Sequence, residues 1–317
     1  YNNFGVDRKY RATPMWSTGL SWHIGREDFM QDNVGWVNQL TFRATFGYNG
    51  NIDQNQYPFT QISLTSGNDD FTQLPSSSIN FAANPSVRWE KTGVLNWGLD
   101  FAVLNHRISG SLEWYNKYSR DLFADYTINP IFGANASNNY TLSRNAAKVN
   151  GKGLDLSLTG IIVQKDDFNY RMNLTYSYNT NEVISSPYEM SPSFYSSGGG
   201  GRMLEGYNMS NFWAYRWAGL DENGDSQVYN ADGEIVKATE SVTNDDLVYV
   251  GTLTPKHFGG FFNTFTYKGL SLYVGITYKL GYIFQKPTIS QQAGGRNSYY
   301  EINEDMAKRW RETGDEA

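Results

Sequence analysis

The stretch "LNWGLDFAVLNHRISGSLEWYN", residues 95–116, alternates apolar and polar side chains on both sides of a short polar break. Apolar residues occupy every second position from Leu95 to Val103, and apolar residues with one glycine do so from Ile108 to Trp114. Such a period of two is typical of β-strands, because successive side chains point to opposite faces. The stretch therefore predicts an antiparallel hairpin with one apolar and one polar face. The apolar face could pack against a second sheet, line a barrel interior or meet lipid.

The same alternation recurs in the segments 40–48, 154–160, 170–178 and 270–280. In all these segments and in the hairpin, the charged side chains fall on the polar face. They are Arg43, Asp100, Glu113, Asp155, Arg171 and Lys279. A wide barrel would turn these side chains towards its lumen. A soluble sandwich sorts its two faces in the same way, so the alternation alone leaves both architectures open.

Short and long connections alternate between the predicted strands. Short turns are predicted at 104–107, 164–169 and 268–269. Long loops are predicted at about 49–90, 117–152, 179–256 and 281–317. Strict alternation places the short turns at one end of the sheet and the long loops at the other, as in outer-membrane barrels with short periplasmic turns and long extracellular loops. Loops of this length are also uncommon in compact soluble domains.

The apolar runs have the length that a membrane barrel requires. The run Leu95–Val103 matches the roughly 9–11 residues that a tilted strand needs to cross the hydrocarbon layer. Aromatic residues such as Trp97 and Trp114 lie near the ends of the runs, where barrels carry aromatic girdles. We therefore expect an all-β fold whose apolar face meets lipid, as in an antiparallel transmembrane β-barrel.

Charge and composition narrow the classes of function. The chain has 26 Lys and Arg against 32 Asp and Glu, a net charge of −6, which argues against a nucleic-acid partner. Cysteine is absent, as suits a protein that crosses an oxidising periplasm, although a cytosolic protein can also lack cysteine. No apolar run is long enough for a transmembrane helix.

The sequence gives little support for catalysis or for a bound cofactor. His23, His106 and His257 are scattered, and no nucleophile elbow, phosphate-binding loop or cysteine nucleophile is present. The segment "DENGDS", 221–226, spaces its oxygen-bearing side chains as a calcium loop would, but its glycine stands at the fourth position instead of the sixth. A plain turn is the favoured interpretation. We expect no enzyme activity, no metal site and no cofactor.

Aromatic residues cluster inside the predicted loop 179–256. They are Tyr195, Tyr207, Phe212, Trp213, Tyr215 and Trp217. Such rings could form a stacking surface for a sugar or a peptide at the mouth of a barrel. They could also form a small core that holds a long loop folded, and this is the favoured interpretation, because loops of this length need packing of their own. A contact with cargo stays open as the alternative.

The stretch "NPSVRWEKTGVLNWGLDFAVLNHRISGSLEWYNKYSRDLF", 84–123, resembles the SusC/RagA family of TonB-linked outer-membrane transporters. Further stretches match that family in the same order. They are "GLSWHIGREDFM" (19–30), "WVNQLTFRATFGYNGN" (36–51), "NGKGLDLSL" (150–158), "FWAYRWAGLDENGDSQVYNADG" (212–233) and "DDLVYVGTLTPKHFGGFFNTFTYKGLSLYVGITYKLG" (245–281). The resemblance covers nearly the whole chain, and the ordered set of motifs is more specific than any single motif.

The resemblance implies a transporter of the bacterial outer membrane, from a Bacteroidetes-type bacterium. A complete barrel of this kind has about 22 strands around a plug. With about nine predicted strands, residues 1–317 would form a segment of one large antiparallel transmembrane β-barrel domain. Its plug, its TonB contact and its final strands are expected outside this chain. The implied activity is TonB-dependent uptake of an oligosaccharide or oligopeptide. The implied partners are a SusD-like surface lipoprotein, the TonB–ExbB–ExbD complex and outer-membrane lipid, with a possible dimer of transporter–lipoprotein pairs.

Two other classes of protein remain as alternatives. A soluble carbohydrate-binding β-sandwich would account for the abundant Tyr and Trp. A secreted glycoside hydrolase would need two carboxylates at a defined separation, and no spacing in the chain identifies such a pair. The one-sided placement of the long loops counts against both alternatives.

Overall fold

The computed structural model describes most of the chain. The described residues are 6–10, 12–51, 59–68, 72–81, 83–127, 141–188, 203–238, 242–286, 304–308 and 310–315. Their strands are β1 (Trp16–Trp22), β2 (Val37–Asn51), β3 (Gln61–Asn68), β4 (Pro75–Phe81), β5 (Glu90–Val103), β6 (Ile108–Thr127), β7 (Thr141–Gln164), β8 (Phe168–Ser185), β9 (Asn211–Leu220), β10 (Ser226–Tyr229), β11 (Ile235–Lys237), β12 (Leu247–Thr252), β13 (His257–Tyr267) and β14 (Leu270–Leu280).

Helices are short in the described part of the chain. Helix α1 spans Asp28–Asn33, and 3-10 turns lie at Arg8–Tyr10, Ile24–Arg26, Asn244–Asp246 and Glu304–Lys308. Among the described residues, no helix has the length and apolar character to span a membrane. The all-β, antiparallel fold that the sequence predicts is confirmed.

The chain divides into two compact units. The first comprises Tyr1–Glu189, Arg202–Met209 and Pro255–Gly281. It contains an eight-stranded antiparallel sheet in the order β1-β2-β5-β6-β7-β8-β13-β14, together with the β3–β4 hairpin. The second comprises Met190–Gly201, Ser210–Thr254 and Tyr282–Ala317, and it contains a four-stranded sheet in the order β11-β10-β9-β12. The larger sheet is an open segment, because its edge strands β1 and β14 do not pair with each other in the described part of the chain.

The hairpin predicted at 95–116 is confirmed as β5–β6. Val103 lies opposite Ile108 across its turn, and Trp97 lies opposite Trp114. The connecting residues Leu104, Asn105 and His106 have φ of 55°, 54° and 60°. Positive φ at successive positions suits a tight turn whose twist matches that of the flanking strands. The backbone N–H of Leu104 also donates to the Trp36 carbonyl at 2.8 Å.

The strands extend well into segments that the sequence predicts as loops. Strand β6 continues to Thr127 and β7 begins at Thr141, so most of the predicted loop 117–152 is ladder. The predicted loop 49–90 contains the β3–β4 hairpin, and the predicted loop 179–256 contains β9 to β12. The segments predicted as loops therefore contain strands over much of their length. The physical reason is that the ladder is made by the backbone, while the apolar alternation ends where side chains leave the apolar band.

A polar cluster stabilises the irregular C-terminal part of β6. Asp121 has φ of 60° at a break in the β6–β7 register. Arg88 Nη2 donates to Asp121 Oδ1 at 2.6 Å, and Asn145 Nδ2 donates to the carbonyls of Arg88 and Asp121, each at 2.7 Å. Asn145 is buried, so its hydrogen bonds are made away from water. The cluster thereby ties the segment before β5 to both long strands.

Candidate functional site

Directly opposed residues form one continuous row on the polar face of the large sheet. The row consists of Ser21, Arg43, Gly98, Glu113, Asp155, Ser177, Phe258 and Lys279, each paired with the next across the ladder. Opposed side chains project to the same side of a sheet. Asp100 and Arg171 share this face, because each is an even number of positions along its strand from a member of the row. The six charged residues singled out from the sequence therefore share one face.

Three of these six residues form a charge cluster. Arg43 on β2 donates from Nε to Asp100 Oδ2 at 2.6 Å and from Nη2 to Asp100 Oδ1 at 2.9 Å. The same Nη2 donates to Glu113 Oε1 on β6 at 2.7 Å. The bidentate pairing with Asp100 fixes the guanidinium plane, and Glu113 orients it further. One cation between two carboxylates leaves the cluster with a net negative charge.

Gly98 is a member of this site that sequence reasoning missed. It lies opposite Arg43 on one side and Glu113 on the other, so the arginine side chain must cross it. A Cβ at position 98 would lie 3.0 Å from Arg43 Nη2, closer than most real contacts of a Cβ. The glycine thereby leaves room for an arginine that reaches a second strand. No local pattern marks this glycine, because its place beside Arg43 depends on the register between β2 and β5.

The other three predicted residues of the polar face are spread along it. Asp155 lies directly opposite Glu113, which adds a third carboxylate beside the cluster. Arg171 lies opposite Thr264, and Lys279 lies at the edge strand β14. Arg171 and Lys279 are both exposed within this chain. The structure therefore brings together Arg43, Asp100 and Glu113, with Asp155 beside them. A lumenal role for the six stays a prediction.

The aromatic cluster of the predicted loop lies mostly on β9 in the second unit. Phe212 and Trp213 are buried, and Trp213 Nε1 donates to Asn211 Oδ1 at 3.1 Å. Their burial favours the interpretation as a small core. The Trp217 side chain is 61% exposed, so its ring is open to a ligand.

The remaining predicted aromatic residues differ in their surroundings. Burial and the charge of Asp246 raise the pKa of Tyr215, whose hydroxyl is buried without a hydrogen-bond partner in the described part of the chain. Tyr207 belongs to the first unit, where its carbonyl accepts from the backbone N–H of Val183 at 2.8 Å. Tyr195 lies outside the described residues. Ligand binding by these side chains remains a prediction.

The segment 221–226 forms a turn with an internal cation. Asp221 Oδ1 accepts from the backbone N–H groups of Asn223 and Asp225 at 2.9 and 2.8 Å. Lys237 Nζ lies 2.8 Å from Asp221 Oδ2 and 2.9 Å from Asp225 Oδ2. The lysine ammonium therefore lies between two of the carboxylates whose spacing suggested a calcium loop. The hydrogen bond from Lys237 is the main reason that the pKa of Asp221 is lowered to about 2.

Comparisons with known proteins agree with this architecture. The chain is 28% identical over 84% of its length to TonB-dependent receptor P26 of Formosa agariphila, covering 28% of that protein. It is 28% identical over 70% of its length to TonB-dependent receptor SusC of Bacteroides thetaiotaomicron, covering 23% of that protein. These relatives are named as receptors and not as enzymes. No family model matches the chain.

Solved structures give the same result for the fold. The RagAB peptide transporter superposes with a TM-score of 0.67 at 25% identity, over 87% of this chain and 30% of that chain. The RagAB peptide importer in its closed-closed state gives a TM-score of 0.67 at 26% identity. The chain thus spans less than a third of the length of the relatives that it matches. In sequence and in fold the chain is therefore similar to a segment of the SusC/RagA-type TonB-dependent transporters, which are outer-membrane β-barrels.

Proposed function

We propose that the protein to which this chain belongs imports a nutrient across the bacterial outer membrane in a TonB-dependent reaction. The cargo would be an oligosaccharide or an oligopeptide, and this chain would supply part of the barrel wall and of its extracellular mouth. The observation that carries the proposal is the collinear likeness to TonB-dependent receptors over most of the chain. The sharply two-faced sheet supports it, since a wall between lipid and a hydrated path requires that arrangement.

Transport of this kind requires no covalent chemistry from the wall. The polar face offers a hydrated surface on which Arg43 is already held by Asp100 and Glu113. A fixed arginine of this kind holds its place as solute passes, because both carboxylates restrain it. The net negative charge around Glu113 and Asp155 would attract cationic groups and discourage anionic ones.

We further propose that a SusD-like lipoprotein acts with the transporter, as the SusC and RagAB likenesses suggest. Trp217 would contribute a stacking surface for the cargo at the mouth. An exposed indole can stack on a sugar ring or a peptide side chain at little cost in conformational entropy. The alternative of a soluble sandwich is less consistent with the structure, because the first unit is built on one sheet of eight strands.

Uptake by cells tests the proposed function. Cells that lack the protein are compared with complemented cells on mixed oligosaccharides and on mixed oligopeptides, with and without a functional TonB. We expect loss of growth on one of the two cargo classes, and the same loss without TonB. Unchanged growth and uptake on both classes would contradict the proposal. Co-purification of a lipoprotein with the tagged transporter tests the partner separately.

Substitution of Trp217 tests the proposed contact with cargo. Stacking on an indole contributes roughly 0.5–1.5 kcal/mol, so Trp217→Ala should weaken cargo binding by up to about tenfold. Ile235→Ala is the matched control, because that side chain is also exposed on the small sheet at 52%. Isothermal titration of the purified transporter with its cargo measures both variants. Equal affinities for Trp217→Ala and the parent protein would remove Trp217 from the binding surface.

A further inference from the structure

The apolar face of the large sheet ends in a set of basic side chains, at the end of the strands away from the 104–107 turn. We name this set the basic border. It consists of Lys91 on β5, Arg120 on β6, and Lys148 and Lys152 on β7. Lys91 and Arg120 are directly opposed across the ladder. Lys148 lies between two buried residues, Ala147 and Val149, so its exposed side chain points to the opposite side, which is the apolar face.

The basic border lies at the depth of lipid headgroups. Leu95 is the large apolar residue of the lipid-facing side of β5 that lies nearest to this end, and Lys91 lies four residues before it. At about 3.3 Å per residue and a tilt near 40°, Lys91 stands about 10 Å beyond the apolar band. The headgroup region adds roughly 5–8 Å on each side of the hydrocarbon layer, so a lysine side chain reaches it. Tyr48 and Tyr118 lie between the band and the Lys91–Arg120 pair, where aromatic girdles belong. On β7 the border begins at Lys152, two residues from the apolar Leu154.

The charges of the basic border are not neutralised within the described residues. None of its four members forms a salt bridge with a described carboxylate. The Lys91 ammonium lies over the Tyr48 ring, 4.2 Å from its centre, which holds it at the girdle. Glu182 is the acidic neighbour on this face, opposite Asn150. The border is therefore net positive, on a chain whose net charge is −6.

We propose that the basic border binds the phosphate groups of lipids in the outer leaflet of the outer membrane. Continuity with the lipid-facing apolar band identifies the occupant as a lipid, whose acyl chains would cover that band. Charge complementarity identifies its headgroup as phosphorylated. Lys91 and Arg120, whose Cβ atoms lie about 5 Å apart, can hold one phosphate between them. Lys148 and Lys152 extend the surface across β7 to a second phosphate.

Binding of lipid A to the purified transporter tests this proposal. Native mass spectrometry in a non-ionic detergent compares bisphosphorylated lipid A with the same lipid after enzymatic removal of its phosphates. Each cation near an anionic surface contributes about fivefold in affinity. We therefore expect a preference for the phosphorylated lipid of several hundredfold, which is lost when all four border residues are replaced by Gln. Equal binding of the two lipids by the parent protein would overturn the proposal.

Single substitutions keep the test clear if the fourfold variant does not fold. Arg120→Gln should lose about fivefold in affinity, whereas Arg120→Lys should keep most of it. Lys117→Gln is the matched control, because Lys117 lies on the same strand but on the polar face. A loss in Lys117→Gln as large as that in Arg120→Gln would contradict the proposed face. Inorganic phosphate at millimolar concentration should not displace lipid A, and full displacement would identify free phosphate as the ligand instead.

Discussion

Two neighbouring rows of side chains cross the large sheet one residue apart along each strand. The first is the polar row that contains Arg43, Gly98 and Glu113. The second consists of Leu20, Ala44, Trp97, Trp114, Leu154, Tyr178, His257 and Leu280. In the second row Trp97 and Trp114 contact each other, with ring centres 4.9 Å apart.

The difference between the rows shows how a sheet one residue thick separates two environments. Interactions in the polar row are directional, because guanidinium and carboxylate geometry fixes them. Interactions in the apolar row need only area and shape, which lipid tails supply as well as protein does. A substitution should therefore have opposite consequences in the two rows, and the following predictions rest on that contrast.

The largest expected effect comes from a charge on the apolar face. Leu112→Arg should lower the free energy of unfolding by about 2–4 kcal/mol, because it places a cation near the middle of the hydrocarbon layer. Ser111→Arg, one residue earlier on the polar face, should change it by less than about 0.5 kcal/mol. Urea unfolding of the transporter in lipid vesicles measures both variants. Equal destabilisation would break the assignment of the two faces.

The next effect concerns the cation of the polar row. Arg43→Met leaves Asp100 and Glu113 close together without their shared partner, and should destabilise the protein by about 1–2 kcal/mol. This value is below that of a fully buried pair, because the Arg43 side chain is 39% exposed. Adding Asp100→Asn and Glu113→Gln to Arg43→Met should recover most of the loss. If the added neutral residues recover nothing, packing and not charge explains the role of Arg43.

A smaller effect is expected at the glycine between the charges. Gly98→Ala should cost about 0.5–1 kcal/mol, because the new methyl group pushes the guanidinium of Arg43 off its preferred rotamer. Gly93→Ala is the matched control on the apolar face of the same strand. There the nearest atom, Tyr48 Cε1, belongs to an aromatic ring and not to a charged group. In the background of Arg43→Met, Gly98→Ala should become neutral. A cost that persists there would mean that position 98 acts independently of the arginine.

The smallest effect concerns an ion pair in the second unit. The pKa of Asp221 is about 2 in the folded protein, below its ordinary value of 3.8, so its pairing stabilises the turn above about pH 4. This stabilisation should be lost as the pH falls from about 4 towards 2. Lys237→Met should reduce protection of β10 and β11 from hydrogen exchange by no more than about fivefold at neutral pH. Lys237→Met should also abolish the loss of stabilisation that occurs as the pH falls from about 4 towards 2. Exchange rates are corrected for their intrinsic pH dependence. If the variant then loses protection on acidification as the parent protein does, the proposed pairing is contradicted.

The sequence was sufficient to predict the central part of the fold. The alternation at 95–116 determined the β5–β6 hairpin, because the period of two and the polar break are both local signals. It also sorted Arg43, Asp100 and Glu113 onto one face. Their actual contacts depend on register, and the register between β2 and β5 is set across a long connection that no local pattern encodes.

The ends of β6 and β7 that lie away from the 104–107 turn could not be predicted in the same way. Beyond the apolar band both faces of β6 and β7 carry polar residues, so the alternation that marks a strand disappears while the ladder continues. The pairing of Lys237 with Asp221 escaped prediction for a related reason, because a hairpin must first bring the two residues together. The burial of Trp213 could not be predicted for the same reason, because neighbouring strands must first pack around it.

The length of β7 has a consequence for where the transporter meets its surroundings. Its 24 residues extend about 80 Å along the strand, which at a tilt near 40° gives a rise of about 60 Å. The apolar band of an outer-membrane barrel is only about 25 Å tall. More than half of the strand therefore stands clear of the hydrocarbon layer. A strand of this length would carry the rim of the barrel wall well beyond the lipid headgroups.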